Sequence, residues 1–538
     1  MEKIFLVLSL SFWAFISFAQ QQKPKLVVGI IVDQMRDEYI DRFYDDFSEN
    51  GFKRLIRDGY RLKNFHFNYM PTYTAPGHSS VYTGTTPRYH GIVGNNYYLR
   101  QEHKDIYCTD DDTEKLLGVG DTLEGKMSPR RLKSTTVTDE LKLSTNFRGK
   151  VIGISIKDRA AILPAGHFAD WAFWMNHDAN FISSTYYGNE LPGWVTDFNN
   201  KKYYETYLKK NWTPLKDPKE YDESLPDKNP YEGKLNYRIE PVFPIDLYTE
   251  YQNHGAGIIK VTPWGNSILA DFAIAAIENE DLGKDDNTDF LAVSFSSPDY
   301  IGHVLGPRSM ELQDMYLRLD LTIADLIDFL NKKVGNGNYI LFLTADHACG
   351  ENPNFLNDHK MHVKNLDRKE VGNKIVEISQ QLYGVNLIEN YSNQNIFFNR
   401  SRIDSLGLNR DDVYSKFQEK LEELEYVKRA FTEDEMLGAN PDFLQQEVAN
   451  GYDITQNGQV VLLFEPAYME YGYTGTTHGT PYGYDTHVPG LFYGWHIPHG
   501  INYKKHYITE IAPTISQLLH ITLPSASENH VINELFNK

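Results

Sequence analysis

The segment Leu26-Val-Val-Gly-Ile-Ile-Val-Asp33 decides the fold that this sequence predicts. A short unbroken apolar run of this kind is typical of a strand that is buried on both faces, as in parallel sheets. A carboxylate placed directly after such a strand lies at the carboxyl edge of the sheet, where open α/β folds bind their ligands. Asp33 is therefore a candidate functional residue.

Similar apolar runs recur along the chain, and each predicts a buried strand. They are Val151–Ile156, Phe290–Phe295, Tyr339–Leu343 and Val460–Phe464. Before the strand Tyr339–Leu343, apolar residues recur at the spacing of a helix and predict one there. They are Met315, Leu319, Ile323, Leu326 and Leu330. Alternating strands and helices predict an α/β fold with a mostly parallel central sheet and helices on both faces.

Two long stretches do not follow this alternation. Residues from about 165 to 255 are rich in Tyr, Trp, Asn and Asp, and residues from about 365 to 455 combine amphipathic helices with acidic turns. Long segments of this kind often shape the access of a substrate. We expect one catalytic domain over residues 20–538, with these two segments as insertions that cover the active-site edge.

The N-terminus has the features of a secretory signal peptide over residues 1–19. A short charged start is followed by the apolar run Ile4–Phe18 and by small residues before Gln20. This run is too short to span a membrane, and no later stretch reaches about 20 apolar residues. We therefore expect an exported protein, periplasmic or secreted, without a membrane span.

The overall charge limits the possible partners. A net charge of −20 argues against binding to a nucleic-acid polymer, which needs a basic surface. It does not exclude small phosphorylated substrates, because local cations decide that contact. The two cysteines, Cys108 and Cys349, could pair or stay free, and the oligomeric state is open, with a monomer favoured.

Aspartates and histidines follow several of the predicted strands. His303 lies four residues after Asp299, a spacing that brings both side chains to one face of a helix. Either residue alone could be an ordinary core or surface residue, but the whole set at strand ends predicts a metal site. Oxygen and nitrogen ligands without a thiolate are typical of catalytic zinc. The candidate ligands are Asp33, Asp299, His303, Asp346, His347 and His487.

A hydroxyl nucleophile is available in Pro71-Thr-Tyr-Thr-Ala-Pro-Gly-His78. Thr74 precedes a stretch predicted to be helical, Ser79–Gly84, and the start of a helix favours an anion. Metal coordination could activate its hydroxyl. The residues alone leave Thr72, Ser79 and Ser80 as alternatives, and Thr74 could also be a turn residue.

Three further side chains could bind a phosphoryl group. Lys157 and Arg159 follow the strand Val151–Ile156 and project to the same side if the extended form continues. Arginine can bridge two phosphoryl oxygens, and lysine supplies a point charge. Asn95 could donate its amide to a third oxygen. Surface charges and a simple turn are the alternative interpretations.

Taken together, these segments resemble the alkaline phosphatase superfamily, and within it the single-chain flavobacterial phosphate monoesterases. The resemblance covers nearly the whole chain after the signal peptide and implies an alkaline-phosphatase-like fold that hydrolyses phosphate monoesters. The segments that carry it are residues 32–36, 71–84, 90–95, 155–160, 297–303, 344–347 and 484–489.

The resemblance also implies a role for each site residue. It implies two Zn²⁺ ions per chain and a covalent phosphothreonine on Thr74, with Asn95, Lys157 and Arg159 binding the phosphoryl oxygens. The first zinc ion would be held by Asp33, Asp346 and His347 and contacted by Thr74. The second would be held by Asp299, His303 and His487.

Three other functions compete with this interpretation. A phosphodiesterase or nucleotide pyrophosphatase would use the same two-zinc site, but Lys157 and Arg159 favour the dianionic monoester over a singly charged diester. A sulfatase is disfavoured because neither Cys108 nor Cys349 lies in a Cys/Ser-x-Pro-x-Arg motif. A non-enzymatic metal-binding role is disfavoured by the presence of a nucleophile.

Overall fold

The computed structural model describes residues 23–536, so the predicted signal peptide lies outside the described residues. A ten-stranded mixed sheet forms the centre of the molecule. The strands follow one another across the sheet in the order Gly500–Asn502, Tyr60–Leu62, Gly490–Gly494, Tyr339–Thr344, Leu26–Val32, Asp289–Phe295, Val151–Ser155, Trp171–Met175, Phe181–Ser184 and Leu116–Leu117.

The middle of this sheet is parallel. Tyr339–Thr344, Leu26–Val32, Asp289–Phe295, Val151–Ser155 and Trp171–Met175 are parallel neighbours in this order. Every residue of the first four is buried, which explains why they are continuous apolar runs instead of alternating patterns. Antiparallel strands extend the sheet on both sides. The predicted α/β fold is confirmed.

Helices flank the sheet, and the long helix predicted from apolar spacing is Met310–Leu330. It packs against Pro263–Asn279. The remaining α-helices are Glu38–Arg42, Phe52–Arg57, Thr74–Thr83, Pro87–His90, Val137–Ser144, Asp158–Ala165, Gly193–Asn200, Tyr204–Leu208, Leu247–His254, Ser297–Leu305, Pro353–Asp358, Arg368–Tyr383, Arg400–Ser405, Arg410–Leu421, Glu433–Leu437, Phe443–Asn450, Gly483–Thr486 and Ile511–Leu519.

The strand Val460–Phe464 does not belong to the central sheet. It lies in a separate four-stranded antiparallel sheet with Ile388–Ser392, Asn395–Phe398 and Val427–Thr432, beside an apolar cluster of its own. The sequence correctly predicted a buried strand here, but its place among the central strands was wrong. A short buried apolar run has the same pattern in either kind of sheet, so periodicity could not separate the two.

The first predicted insertion begins later than expected. Trp171–Met175 and Phe181–Ser184, both inside the range 165–255, pair with the central sheet. Their aromatic-rich sequence lacks the β-branched pattern that marked the other strands. Short helices and loops begin only at Gly193–Asn200.

Two shorter pairings complete the strands: Phe65–His66 with His506–Tyr507, and Asn96–Leu99 with Lys104–Tyr107. Cys108 and Cys349 are both buried and free, so they do not form a disulfide with each other. Within residues 23–536, no helix has the length and apolar character needed to cross a membrane.

Candidate active site

The carboxyl ends of four central parallel strands bring charged side chains together. Asp33 and Asp346 come just after two neighbouring strands, and Asp299 and Lys157 come after the next two. Carboxyl ends of parallel strands lie at one edge of the sheet, so these side chains converge. The common edge predicted from the sequence is therefore present.

A first group of possible metal ligands is fully enclosed. Asp33, Asp299 and His347 offer ligand atoms that all lie within 4.8 Å of one another. His347 Nε2 is 3.5 Å from Asp33 Oδ1 and 3.6 Å from Asp346 Oδ2. Asp33, Asp346 and His347 are completely buried. The three residues predicted for the first ion, Asp33, Asp346 and His347, thus lie close together here, and Asp299 is an additional neighbour.

A second group adjoins the first and shares Asp299 with it. Asp299, His303 and His478 offer ligand atoms within 4.8 Å of one another. His303 Nε2 is 3.1 Å from Asp299 Oδ1, and His478 Nε2 is 3.8 Å from the same oxygen. Asp299 and His303 lie on one face of the helix Ser297–Leu305, as their spacing predicted.

His487, predicted as the third ligand of this second group, lies elsewhere. Its Nε2 is 3.0 Å from the backbone oxygen of Lys63, and its ring stacks on His66 with centroids 4.5 Å apart. Within residues 23–536, it joins neither ligand group. The prediction is corrected to His478, which the sequence reasoning missed.

The sequence around His478 carries only a weak signal. Threonines and glycines flank this histidine, and such small residues permit close backbone packing. A Cβ added at Gly479 would lie 2.7 Å from the ring of Tyr73. His487 follows the same strand in a similar loop, so order and spacing alone could not choose between the two histidines.

The three histidines of these groups are oriented by the backbone, because in each Nδ1 faces a carbonyl oxygen, which only accepts hydrogen bonds. In His347 and His478 the proton therefore lies on Nδ1 and the lone pair of Nε2 faces the group. Burial alone would lower the pKa of His303, but the charge and hydrogen bond of Asp299 at Nε2 raise it. Burial lowers the pKa of His478 to about 3 and that of His347 well below its usual range, which keeps both rings neutral. The Nδ1 to oxygen distances are 2.9 Å for His303 and Thr476, 3.0 Å for His347 and Ala348, and 2.6 Å for His478 and Thr72.

The chemistry of these groups fits metal ions. Asp33 Oδ1, Asp346 Oδ2 and His347 Nε2 are buried and have no hydrogen-bond partner among the described residues. Burial and the neighbouring charge of Asp299 raise the pKa of Asp33 to about 6. Burial and the charge of Asp33 raise the pKa of Asp346 well above its usual range. Buried acceptors without partners are costly unless a cation meets them.

Thr74 is the first residue of the helix Thr74–Thr83, which begins earlier than the predicted stretch Ser79–Gly84. This helix start lies against the first ligand group, because a Cβ added at Gly77 would be 2.1 Å from the backbone oxygen of Asp346. Backbone N–H groups at a helix start favour an anion. Thr74 is thus placed where a phosphoryl group could be attacked.

The alternative hydroxyls are less suited to this role. Thr72 donates its hydroxyl to the backbone oxygen of Thr480 at 3.1 Å. The hydroxyl of Ser80 pairs with His90 Nε2 at 2.9 Å. Ser79 lies more than one helical turn beyond the helix start, away from the exposed N–H groups of the first turn. These contacts favour Thr74 over its neighbours.

Lys157 connects the two ligand groups. Its ammonium donates to Asp33 Oδ2 and to Asp299 Oδ2, both at 2.6 Å. The extended form predicted beyond Lys157 is wrong, because a helix starts at Asp158 and places Arg159 in its first turn. Lys157 and Arg159 nevertheless line the same cavity as Asp299.

Arg159 and Asn95 are each held by a neighbour that the sequence did not indicate. Arg159 Nη1 donates to the hydroxyl of Tyr107 at 2.9 Å. Asn95 Oδ1 accepts from the backbone N–H of Ala75 at 2.8 Å, which leaves its amide nitrogen as a donor. Asn95 and His478 line a second cavity of about 510 Å³ beside the ligand groups.

Gln34 was also missed by the sequence reasoning. Its amide nitrogen donates to Asp299 Oδ1 at 2.7 Å, and its backbone N–H donates to Asp346 Oδ1 at 3.2 Å. It therefore orients one carboxylate from each group. Its position directly after Asp33 was the available signal.

The relationship to known proteins agrees with this geometry. Residues 27–487 match the type I phosphodiesterase/nucleotide pyrophosphatase family, a branch of the alkaline phosphatase superfamily, and the chain belongs to it. The resemblance seen in the sequence is confirmed.

Individual relatives extend over almost the whole chain. The chain is 42% identical over 525 residues to alkaline phosphatase PafA of Elizabethkingia meningoseptica, which covers 96% of this chain and 95% of that protein. It is 41% identical over 532 residues to a calcium-transporting ATPase of Myroides odoratus, covering 97% of each. It is 41% identical over 515 residues to alkaline phosphatase PhoV of Synechococcus elongatus, covering 95% of this chain and 93% of that protein.

A solved structure shows the same fold. The crystal structure of wild-type PafA superimposes with a TM-score of 0.92 at 41% identity, covering 96% of this chain and 99% of that one. The central sheet and its flanking helices are therefore those of an alkaline-phosphatase-superfamily enzyme.

Proposed function

We propose that this protein is an alkaline phosphatase that hydrolyses phosphate monoesters and releases inorganic phosphate. The observation that carries the proposal is the position of Lys157 and Arg159, whose cations line the cavity at the shared ligand Asp299. Lys157 is paired with Asp33 and Asp299, which bound metal ions would engage, so both cations would then be available to a dianionic phosphoryl group. Two relatives that cover nearly the whole chain are named alkaline phosphatases, which supports the same activity.

Two zinc ions are the proposed cofactors. Carboxylate and imidazole ligands without a thiolate suit zinc in a catalytic site. Zinc bound there would supply Lewis-acid stabilisation of the attacking and leaving oxygens. Asp33, Asp346 and His347 would hold one ion, and Asp299, His303 and His478 the other.

The chain's own residues account for the transfer of the phosphoryl group. The Thr74 hydroxyl attacks phosphorus, the bond to the leaving group breaks, and a phosphothreonine forms. The N–H groups at the start of the helix Thr74–Thr83 face the negative charge of the transferred group. Water then attacks phosphorus, Thr74 leaves as an alcohol, and phosphate is released. Two successive displacements give net retention at phosphorus.

Three side chains are proposed to bind the non-bridging oxygens of the phosphoryl group. Lys157 and Arg159 supply positive charge, and Asn95 supplies an amide donor. Negative charge is spread over these oxygens in the transition state, so fixed donors there stabilise it without reorganisation. Tyr107 holds the Arg159 guanidinium in place for this contact.

Phosphodiester hydrolysis is the second candidate, since the matching family is described by that activity. A comparison of kcat/KM for 4-nitrophenyl phosphate and methyl 4-nitrophenyl phosphate separates the two, because the leaving group is identical. We expect a large preference for the monoester. A preference for the diester would overturn the proposal and assign the chain to phosphodiester hydrolysis.

The proposal also places the protein outside the cytoplasm, in the periplasm or secreted, because residues 1–19 have the pattern of a signal peptide. N-terminal sequencing of protein recovered from outside the cytoplasm tests this. The mature chain should begin at Gln20, and an intact Met1 would contradict export by cleavage.

A further inference from the structure

An open cleft of about 1070 Å³ begins at the second ligand group and extends away from it. Asp299 and His303 lie at its inner end. Lysine and arginine dominate the charged part of its lining, in a protein whose net charge is −20. These cations are Lys157, Arg159, Lys234, Arg238 and Lys260, and Asp299 is the acidic residue of the lining.

Two of the outer cations already have carboxylate partners. Lys234 Nζ is 2.5 Å from Glu240 Oε1, and Arg238 Nη2 is 2.6 Å from Glu250 Oε1. Their charges are largely compensated, so they are weak candidates for binding a further anion.

Lys260 is different. Its ammonium donates to the backbone oxygen of Met175 at 3.1 Å, and among residues 23–536 no carboxylate lies within 4 Å of it. Burial lowers its pKa, although Glu124, Asp158 and Asp178 act in the opposite direction from further away. An ammonium has three donors, and the Met175 oxygen takes only one of them, so Lys260 has donors left for an anion in the cleft.

Aromatic side chains line the same cleft as Lys260. Tyr300 lies beside the reaction centre, where the Lys157 ammonium is 5.1 Å from its ring centroid. Tyr237 is 89% exposed, and Tyr471 lines the same cleft. Such rings present apolar faces with a polar hydroxyl at one end, which suits the organic part of a substrate.

We propose that this cleft receives leaving groups that carry a second anionic group, a phosphate or a carboxylate, and that Lys260 binds that second anion. The inference rests on the proposed function, because it concerns the alcohol released from a phosphate monoester. The helix start at Thr74 lies against the first ligand group, so we assign the second group, at the inner end of the cleft, to the leaving oxygen. A leaving group that extends from there enters the cleft that the tyrosines and Lys260 line.

Two matched substrates test the proposal on the zinc-loaded protein. One is 4-ethylphenyl phosphate, with a neutral leaving group. The other is 4-(phosphonomethyl)phenyl phosphate, whose carbon–phosphorus bond is not hydrolysed and which adds only a distant dianion. We expect the wild-type protein to have a kcat/KM for the anionic substrate about tenfold higher or more, as for one hydrogen bond to a charged group. Equal values, or a lower value for the anionic substrate, would overturn the proposal.

The variant Lys260→Gln should remove this preference and leave kcat/KM for 4-ethylphenyl phosphate near that of the wild type. Lys260→Arg should retain most of the preference. Lys420→Gln, which removes an exposed lysine from the helix Arg410–Leu421, controls for the loss of one positive charge. An unchanged preference in Lys260→Gln would show that another residue binds the anion, and would contradict the assignment.

Two further outcomes separate this inference from the function on which it rests. If Lys260→Gln lowers kcat/KM for both substrates equally, Lys260 acts at the reaction centre, and the proposed anion site is wrong. If the wild-type protein hydrolyses neither substrate, the proposed phosphatase activity itself fails.

Discussion

The imidazole rings of His347 and His478 stack face to face, with centroids 3.4 Å apart. Each ring belongs to a different ligand group. The distance between the two groups is therefore fixed by this stacking contact, and also by Asp299, which both groups share. An in-line displacement needs two cations at a defined separation, about 3.5–4 Å in two-metal sites. The stacking is therefore part of the geometry on which the predicted chemistry depends.

Replacing Thr74 with alanine should lower kcat by about a thousandfold or more, as expected when a nucleophile is removed. Bound metal per chain should stay close to the wild-type value, because the carboxylates and imidazoles remain. The measurement is phosphoenzyme formation after an acid quench, with metal content from elemental analysis. Thr74→Ser is the matched control and should keep measurable activity. Continued labelling of Thr74→Ala would point to Thr72 or Ser79.

The two histidines of the loop after Val460–Phe464 should behave differently. His478→Ala should lose metal from the second group and lower kcat/KM by about a hundredfold or more. Mutation of a residue that only hydrogen-bonds to a metal ligand already lowers metal affinity or activity by about 10–100-fold. His487→Ala should keep its metal and most of its activity, and lose about 1 kcal/mol of stability with its hydrogen bond to Lys63. The reverse pattern would restore His487 as the ligand.

Removing the charges of Lys157 and Arg159 together should lower monoester turnover far more than diester turnover. Each hydrogen bond to a charged group contributes about 1.5–3 kcal/mol, so the double change to alanine should cost about a hundredfold or more with the monoester. The measurement is kcat/KM for 4-nitrophenyl phosphate and its methyl ester with each variant. An equal loss with both substrates would remove the main support for monoester specificity.

Chelation should abolish activity without unfolding the central sheet. The buried parallel strands and their flanking helices form a core large enough to fold without bound ions. Far-ultraviolet circular dichroism should keep its native signal after chelation, and added zinc should restore turnover. Loss of the native signal would show that the ions also support the fold.

His167 should make stability depend on pH. Burial alone would lower its pKa, but the hydrogen bond and charge of Asp139, with Nδ1 2.9 Å from Oδ2, outweigh it and raise the pKa. A raised pKa in the folded state favours the protonated form. The stabilisation is fully present below the unfolded pKa of about 6.5 and is lost as the pH rises through the folded pKa.

Urea unfolding at about pH 5.5 and pH 9 checks this effect. The wild-type protein should be more stable than His167→Gln at the lower pH, and this difference in the free energy of unfolding should be lost at the higher pH. A stability difference between wild type and His167→Gln that does not vary with pH would rule out the effect.

Much of the fold could be predicted because the central strands are buried on both faces. Leu26–Val32 and Asp289–Phe295 have no solvent-facing positions, so their apolar runs are continuous and easy to identify. Trp171–Met175 was missed because aromatic residues replace the β-branched pattern. Val460–Phe464 was placed in the wrong sheet, since strand pairing is decided by contacts between distant segments.

The same limit applies to the candidate site: residues that follow a strand could be predicted, and residues that depend on contacts between distant segments could not. Asp33 follows its strand directly and Asp346 comes just after Tyr339–Thr344, so the strand pattern locates both. His478 lies in a long loop, and its position depends on a carbonyl group of Thr72 that a sequence pattern cannot place. Tyr107 reaches Arg159 through tertiary packing, and no spacing rule indicates such a contact.

The orientation of the ligand histidines by carbonyl groups has a consequence for evolution. A side-chain partner can be lost in a single substitution, whereas a backbone oxygen is present whichever residue occupies the position. His303, His347 and His478 thus owe their orientations to atoms that point mutation does not delete. The residues around these histidines can therefore change during evolution, and the substrate preference can change with them. The Nε2 atoms would still face the ligand groups.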